Sequence, residues 1–230
     1  MGSTFSWKTI IMESIEAKVV LTSLRSNLVN LPADVVSLLY SANINVQGVV
    51  IEISWKPKRL LPLQYAYAGW SGMTSTSSQG LNMEIDPVFA SSIGLKENTK
   101  VMLKMQFNAP EALKIHLEPV SSSDWELVEI HAQFLESRLL NQTRAVKLDQ
   151  TLVVYPSSTI IASLKVVKIE PVPDNGNFAK ISPNCEVIIA PKVRKISNST
   201  GSRAMKSMES IKKSQESLSK MLFRNICVPH

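Results

Sequence analysis

Apolar and polar residues alternate with period two along most of the chain. Ala17, Val19 and Leu21 alternate in one run, and Val49, Ile51, Ile53 and Trp55 in another. Val101, Leu103 and Met105 repeat the pattern, as do Leu113, Ile115 and Leu117. Further apolar runs follow at Thr151 to Tyr155, Ile160 to Ile169 and Val187 to Ala190. Period two places alternate side chains on one face of an extended strand. Short strands at this spacing predict a mainly β fold with short helices, of barrel or sandwich type. Helical signals are fewer. Pro32 to Tyr40 predicts a helix with Val35, Val36, Leu38 and Leu39 turned inward. Pro87 to Ile93 predicts a second, capped by Asp86 and stopped by Gly94.

These two helices suggest an internal repeat. Leu31-Pro32 precedes a strand starting at Val46, and Pro87 precedes one starting at Val101, with both landmarks 55 residues apart. A duplicated strand–helix–strand unit would build a closed barrel from two interlocking halves. Coincidence is the alternative, because proline-led helix starts are common.

The step Asn108-Ala109-Pro110-Glu111 predicts a hinge between two small lobes. The expected organisation is a first lobe over 12–107, a second over 112–192, and a tail over 193–230. The second lobe opens with a strand, Leu113 to Val120. A long helix follows, with Ser123 as its cap and Glu126 completing a capping box. Trp125, Val128, Ala132, Leu135 and Leu139 recur at spacings of three and four, one apolar stripe. Trp125 is expected to be largely buried there. About four strands follow, with a turn at Asp174-Asn175-Gly176-Asn177.

Charge separates the tail from the body. Residues 1–191 carry 16 Lys and Arg against 17 Asp and Glu, whereas 192–230 carry 9 against 2. A body so near neutrality does not support nucleic-acid binding, which places basic charge on the folded domain. The tail holds eight serines and no strand pattern, and reads as a basic linker. Met205, Met208, Ile211, Leu218 and Leu222 could instead line one face of an amphipathic helix.

Reactive chemistry is sparse. Two cysteines, Cys185 and Cys227, and three spread histidines make neither a disulfide framework nor a metal centre, and fit an intracellular, reducing compartment. No run is long and apolar enough to cross a bilayer. The sequence contains no G-x-x-x-x-G-K-[ST], no G-x-G-x-x-G and no G-x-S-x-G. His131 reads as a helix-surface histidine, and Asp124 and Glu126 as helix-dipole partners. Asn141-Gln142-Thr143 matches a glycosylation acceptor but reads as incidental. Lys56-Pro57-Lys58-Arg59 forms a basic loop beside Trp55, Tyr65, Tyr67 and Trp70, able to contact an anionic headgroup or an acidic peptide, or simply to be a solvated hairpin loop. Lys56, Lys58 and Arg59, with Asn108 and Glu111 at the lobe boundary, are the candidate partner- or lipid-binding residues.

Residues 121–146 carry a resemblance. Asp124-Trp125-Glu126 at a helix start, followed by Gln142-Thr143-Arg144-Ala145-Val146, is similar to the amino-terminal domains of the peroxin-one family, peroxisome-biogenesis AAA ATPases that partner peroxin six. Asn30-Leu31-Pro32, Gly69-Trp70, Asp86-Pro87-Val88-Phe89-Ala90 and Ile189-Ala190-Pro191-Lys192 match in the expected order, so the resemblance covers roughly 15–194. It implies a double-psi β-barrel followed by a four-stranded β-barrel lobe, the module also found before the rings of valosin-containing protein and N-ethylmaleimide-sensitive fusion protein. It also implies adaptor docking between the lobes, a non-catalytic fragment without its own cofactor, and a parent protein using ATP and Mg²⁺. The implied partners are peroxin six and peroxisomal membrane or receptor proteins, at the cytosolic face of the peroxisomal membrane. The fragment is expected to be a monomer. An anionic-lipid module is the alternative, and a double-psi enzyme would need paired carboxylates or a self-processing serine that the sequence lacks.

Overall fold

Alternation produces the first strands as expected. In β1 (Ile15–Leu21), Ala17 and Val19 are buried while Glu16 and Lys18 face out. The computed structural model describes residues 14–45, 48–58, 60–76, 80–173 and 177–192, together with the strand Leu222–Phe223. Arg59, the start of a strand at Val46, the turn residues 174–176 and all of the tail except Leu222–Phe223 lie outside the described residues.

The first lobe is a closed barrel of six strands in the order β1, β5 (Asn82–Ile85), β2 (Leu28–Leu31), β4 (Gln64–Thr74), β3 (Val50–Trp55) and β6 (Lys100–Gln106). Exchanging β1 with β4, β2 with β5 and β3 with β6 returns the same cyclic order. The strand–helix–strand repeat is therefore real, and its two copies interlock. β1 runs parallel to β5 and β2 parallel to β4, while β2–β5 and β3–β6 are antiparallel.

The spacing between the copies is not a constant 55. Helix α1 (Ala33–Ser41) starts from Pro32, and α2 (Pro87–Ser92) from Asp86. Both helices end in a left-handed residue, Asn43 in the first and Gly94 in the second. At each end the next two amides return to the last turn: Asn43 to Tyr40 and Ile44 to Leu39, then Gly94 to Ser91 and Leu95 to Ala90. These are matching Schellman closures. The offset is 54 at the helix starts and 51 at the stops. The drop to 51 reflects α2 being three residues shorter than α1, and a connection one residue shorter brings the offset to 50 at the buried pairs Ile51/Val101 and Ile53/Leu103. Strand β3 begins at Val50.

Strands β2 and β5 lack alternation because all four residues of each are buried, including Asn30 and Glu84. These two face each other across the barrel's pseudo-twofold, where Asn30 Nδ2 donates to Glu84 Oε2 at 2.7 Å. Burial alone would raise the Glu84 pKa. Hydrogen bonds from the Thr76 hydroxyl, Asn30, the Thr76 amide and Ser75 outweigh it and hold the carboxyl below its ordinary range.

The second lobe uses β7 (Glu111–Pro119), β8 (Ala145–Lys147), β9 (Thr151–Val154), β10 (Ala162–Glu170), β11 (Phe178–Ile189) and the short β12 (Leu222–Phe223). Its sheet runs β12-β11-β7-β10-β9, with β8 also on β11, and curls into a nearly closed barrel of four main strands. The phase of β7 slips between Ala112 and Ile115, so Leu113, expected inside, is 64% exposed. The β7–β11 register also shifts, between Ile181 and Glu186.

The expected long helix is two helices, α3 (Ser122–Ile130) and α4 (Ala132–Gln142), broken at His131. The cap is Ser121 rather than Ser123. Ser121 Oγ accepts from the Asp124 amide, and the Asp124 carboxylate accepts from the Ser121 amide. The box thus starts two residues earlier, with the aspartate in the position expected of a glutamate. The stripe holds in part. Val128, Leu135 and Leu139 are buried, but Trp125 is only half-buried against the second core.

Candidate functional site

The segments that the family resemblance singles out converge on the seam between the lobes. Asn27, 1% exposed and just before β2, donates to Thr143 Oγ1 at 2.7 Å and to the Val153 carbonyl at 2.8 Å. Its own oxygen accepts from the Val153 amide at 2.8 Å. Gln150 makes the reciprocal arrangement with Tyr67, accepting from its amide at 2.9 Å and donating to its carbonyl at 2.8 Å. Gln142 pairs with the Tyr155 backbone in the same two-fold way. A side-chain amide offers one donor and one acceptor in the geometry of a peptide group. Two of these contacts therefore carry backbone-like pairing across the seam, and the third braces the β9 end that packs into it. Thr143 is fully buried there, so the apparent glycosylation acceptor is part of the seam.

Arg144 Nη1 donates to the Trp70 carbonyl at 2.7 Å, and burial lowers its pKa. Gly69 makes that approach possible, because a Cβ there would lie 2.7 Å from Arg144 Cβ and 2.9 Å from Leu28 Cδ2. Asp86 caps α2 through Val88 and Phe89, accepts from the Arg25 amide, and takes the Tyr155 hydroxyl from the second lobe. Burial and that carboxylate push the Tyr155 phenol well above its ordinary value. Tyr67 and Phe178 stack at 4.1 Å over Val50, Ala109 and Ala145. The seam is filled along these residues.

The remaining predicted residues scatter. Lys56 and Lys58 are exposed after β3, beside Leu60 at 96% and Leu61 at 47% exposure. Asn108 is exposed, whereas its neighbour Ala109 is buried and the Pro110 carbonyl accepts from the Lys180 amide at 2.8 Å. The step expected to be a hinge is thus fastened down. Glu111 is exposed and lies 3.5 Å from Lys180. Because β3 and β6 are antiparallel, with Val50 opposite Gln106, the basic loop and Asn108 sit at opposite ends of the pair. At about 3.3 Å per residue they are roughly 20 Å apart. They do not form one site. Sequence reasoning missed Asn27, Gln150 and Tyr155, which resemble ordinary loop and strand residues until the lobes meet.

Among the described residues no group of three His, Cys, Asp or Glu could hold a metal. Cys185 is buried, and burial pushes its thiol up to about 12, which leaves it unreactive. No helix among the described residues is long and apolar enough to cross a membrane.

Comparison with known proteins identifies the family. The family "Peroxisome biogenesis factor 1, N-terminal" matches residues 113–191. The chain is 42% identical over 237 residues to the peroxisomal ATPase PEX1 of Komagataella phaffii, covering 95% of this chain and 21% of that protein. The chain belongs to the PEX1 amino-terminal family. It is 43% identical over 208 residues to PEX1 of Arthrobotrys oligospora, covering 77% of this chain and 17% of that protein. With PEX1 of Homo sapiens it shares 27% over 187 residues, 81% of this chain and 14% of that protein. The chain thus spans about a fifth or less of these PEX1 relatives. Gln142, Arg144, Gly69 and Trp70, on which the resemblance in the sequence rests, all lie at or beside the seam.

Proposed function

We propose that the chain is a non-catalytic partner-docking domain of a peroxisomal AAA ATPase that, with peroxin six, extracts and recycles the import receptor at the cytosolic face of the peroxisomal membrane. The observation that carries this reading is the seam. Its hydrogen bonds, through Asn27, Gln150 and Arg144, tie the two lobes together. A rigid body of two lobes suits recruitment, in which the docked partner must be held near a motor. ATP and Mg²⁺ are proposed to act in the remainder of the parent protein, since this sequence has no phosphate-loop motif. Peroxisomal membrane or receptor proteins are the proposed partners, and the domain is proposed to act as a monomer.

The test is a chimera in which this chain replaces the matching segment of the Komagataella phaffii ATPase. Import of a fluorescent matrix protein should be restored with ATP turnover unchanged. A stably expressed chimera that turns over ATP but does not restore import would overturn the reading.

The exposed apolar tip of the basic loop favours a second reading. Leu60, Leu61 and Leu63 stand out beside Lys56 and Lys58, as in a segment that enters a membrane interface. This reading requires flotation on anionic vesicles that Leu60→Asp and Lys58→Glu each abolish. Under the docking reading both variants keep import.

A further inference from the structure

The second barrel fails to close, and its open side is specific. Its sheet ends in β9 on one side and, on the other, in β11 with the short strands β8 and β12 on its outer edge. Helix α4 lies over the gap. Leu135 and Leu139 of α4, Val154 of β9, Leu164 of β10 and Val187 and Ile189 of β11 line an apolar cavity there, with Glu136 among them. The outer edge of β11 is divided. Strand β8 covers Phe178 to Lys180. Beyond the register shift, Val187 lies opposite Phe223 and Ile188 opposite Leu222, antiparallel.

We propose that the β11 edge around Val187–Ile188 is a strand-addition site whose resident occupant is the chain's own segment around Leu222–Phe223. An uncovered edge presents a row of unpaired amides and carbonyls, and a short extended segment satisfies them. In an antiparallel pair, opposite residues share a face. Val187 itself lines the apolar cavity, so the paired stretch of this edge borders it. The segment supplies Met221, Leu222 and Phe223 between Lys220 and Arg224, from a tail with nine basic residues against two acidic ones. The body it meets is slightly acidic, with Glu136 at the cavity. Residues 190–221 give about thirty residues of connection, a contour of roughly 100 Å and far more than the return to Ile188 needs. Being tethered to the site raises the segment's effective concentration, so a short pairing suffices. A partner using this edge would have to displace the segment first. The proposal is independent of the docking function assigned above.

Hydrogen exchange read by mass spectrometry on the full chain tests it, comparing the parent with Leu222→Asp/Phe223→Pro. Residues 186–190 should exchange at least tenfold faster in the variant, while β7 and β10 keep their protection. A synthetic peptide of residues 216–228, added at millimolar concentration, should restore protection to the variant. Unchanged exchange at 186–190, loss spread across β7 and β10, or no rescue by the peptide would each overturn the proposal. Protection in the parent that falls on dilution would place a second copy on the edge and would also overturn it.

Discussion

The two lobes solve the same problem differently. In the first, duplication closes the barrel: each strand has a neighbour on both sides, and the two Schellman-stopped helices bury their apolar residues in its core. In the second, the sheet curls without closing, and a helix covers the opening. Closure removes the edges at which strands can add, and an open sheet keeps them. The first lobe is thus suited to be a scaffold and the second to carry an adaptable edge. The second copy of the repeat has also diverged toward its neighbour. Asp86 caps its helix and holds Tyr155 of the second lobe, whereas Pro32 at the matching start has no side-chain cap.

The tryptophans give the largest test of this contrast. Trp70 is fully buried, with its Nε1 donating to the Met73 carbonyl and its ring edge-on to Tyr40. Trp125 is half-buried against the second core. Trp70→Ala should cost about 3–5 kcal/mol and Trp125→Ala about 1–2 kcal/mol in urea unfolding followed by circular dichroism. Equal losses would mean that the second lobe is packed as tightly as the first, and the contrast would fail.

The parts of this fold that could be read in the sequence are those governed by local rules. Period-two runs gave β1, β3, β6 and β10, and Asp86 and Gly94 bounded α2. Strands β2 and β5 escaped because burial on both faces erases alternation and because Asn30 and Glu84 disguise them as polar segments. The cap of α3 was misplaced because three consecutive serines offer equivalent caps, and only the reach of Asp124 selects Ser121. Leu222, in a tail that reads as a basic linker or else as one face of a helix, lies in a strand, where pairing with a distant edge decides its conformation. Of the candidate residues, Lys56 and Lys58 are exposed in the loop after β3, and Asn108 and Glu111 lie toward the opposite end of the β3–β6 pair, a separation that cannot be judged before the register is known. The seam was out of reach for the same reason. Asn27 and Val153 are 126 positions apart, and no local pattern marks them as partners.

The seam is the next test, since it makes one body of two unlike lobes. Asn27→Ala leaves the Val153 amide and carbonyl buried without their partner. Each orphaned group costs about 1–3 kcal/mol, so a loss of about 2–4 kcal/mol is expected. Gly69→Ala should cost about 1–3 kcal/mol by forcing Arg144 and the Trp70 carbonyl apart. Both variants should also separate the unfolding of the lobes, seen as two urea transitions where the parent shows one. A single, unshifted transition would mean that the lobes are joined by something other than these contacts.

The smallest effect concerns the closed barrel alone. Glu84 is buried beside the pseudo-twofold, with its carboxyl held below its ordinary range by the surrounding donors despite burial. A carboxyl whose folded pKa lies below its unfolded one stabilises the protein above the unfolded value, near pH 4.3. That contribution is lost as pH falls through the folded pKa. Over that window the parent should lose stability with a slope steeper by up to one proton, about 1.4 kcal/mol per pH unit, than Glu84→Gln, which does not titrate. The comparison is of slopes, because the glutamine also loses an acceptor to Thr76 at every pH. Urea midpoints between pH 3 and pH 6 measure it. Parallel acid limbs would mean that Glu84 keeps its ordinary pKa, and that the polar pair at the centre of the repeat is held by shape alone.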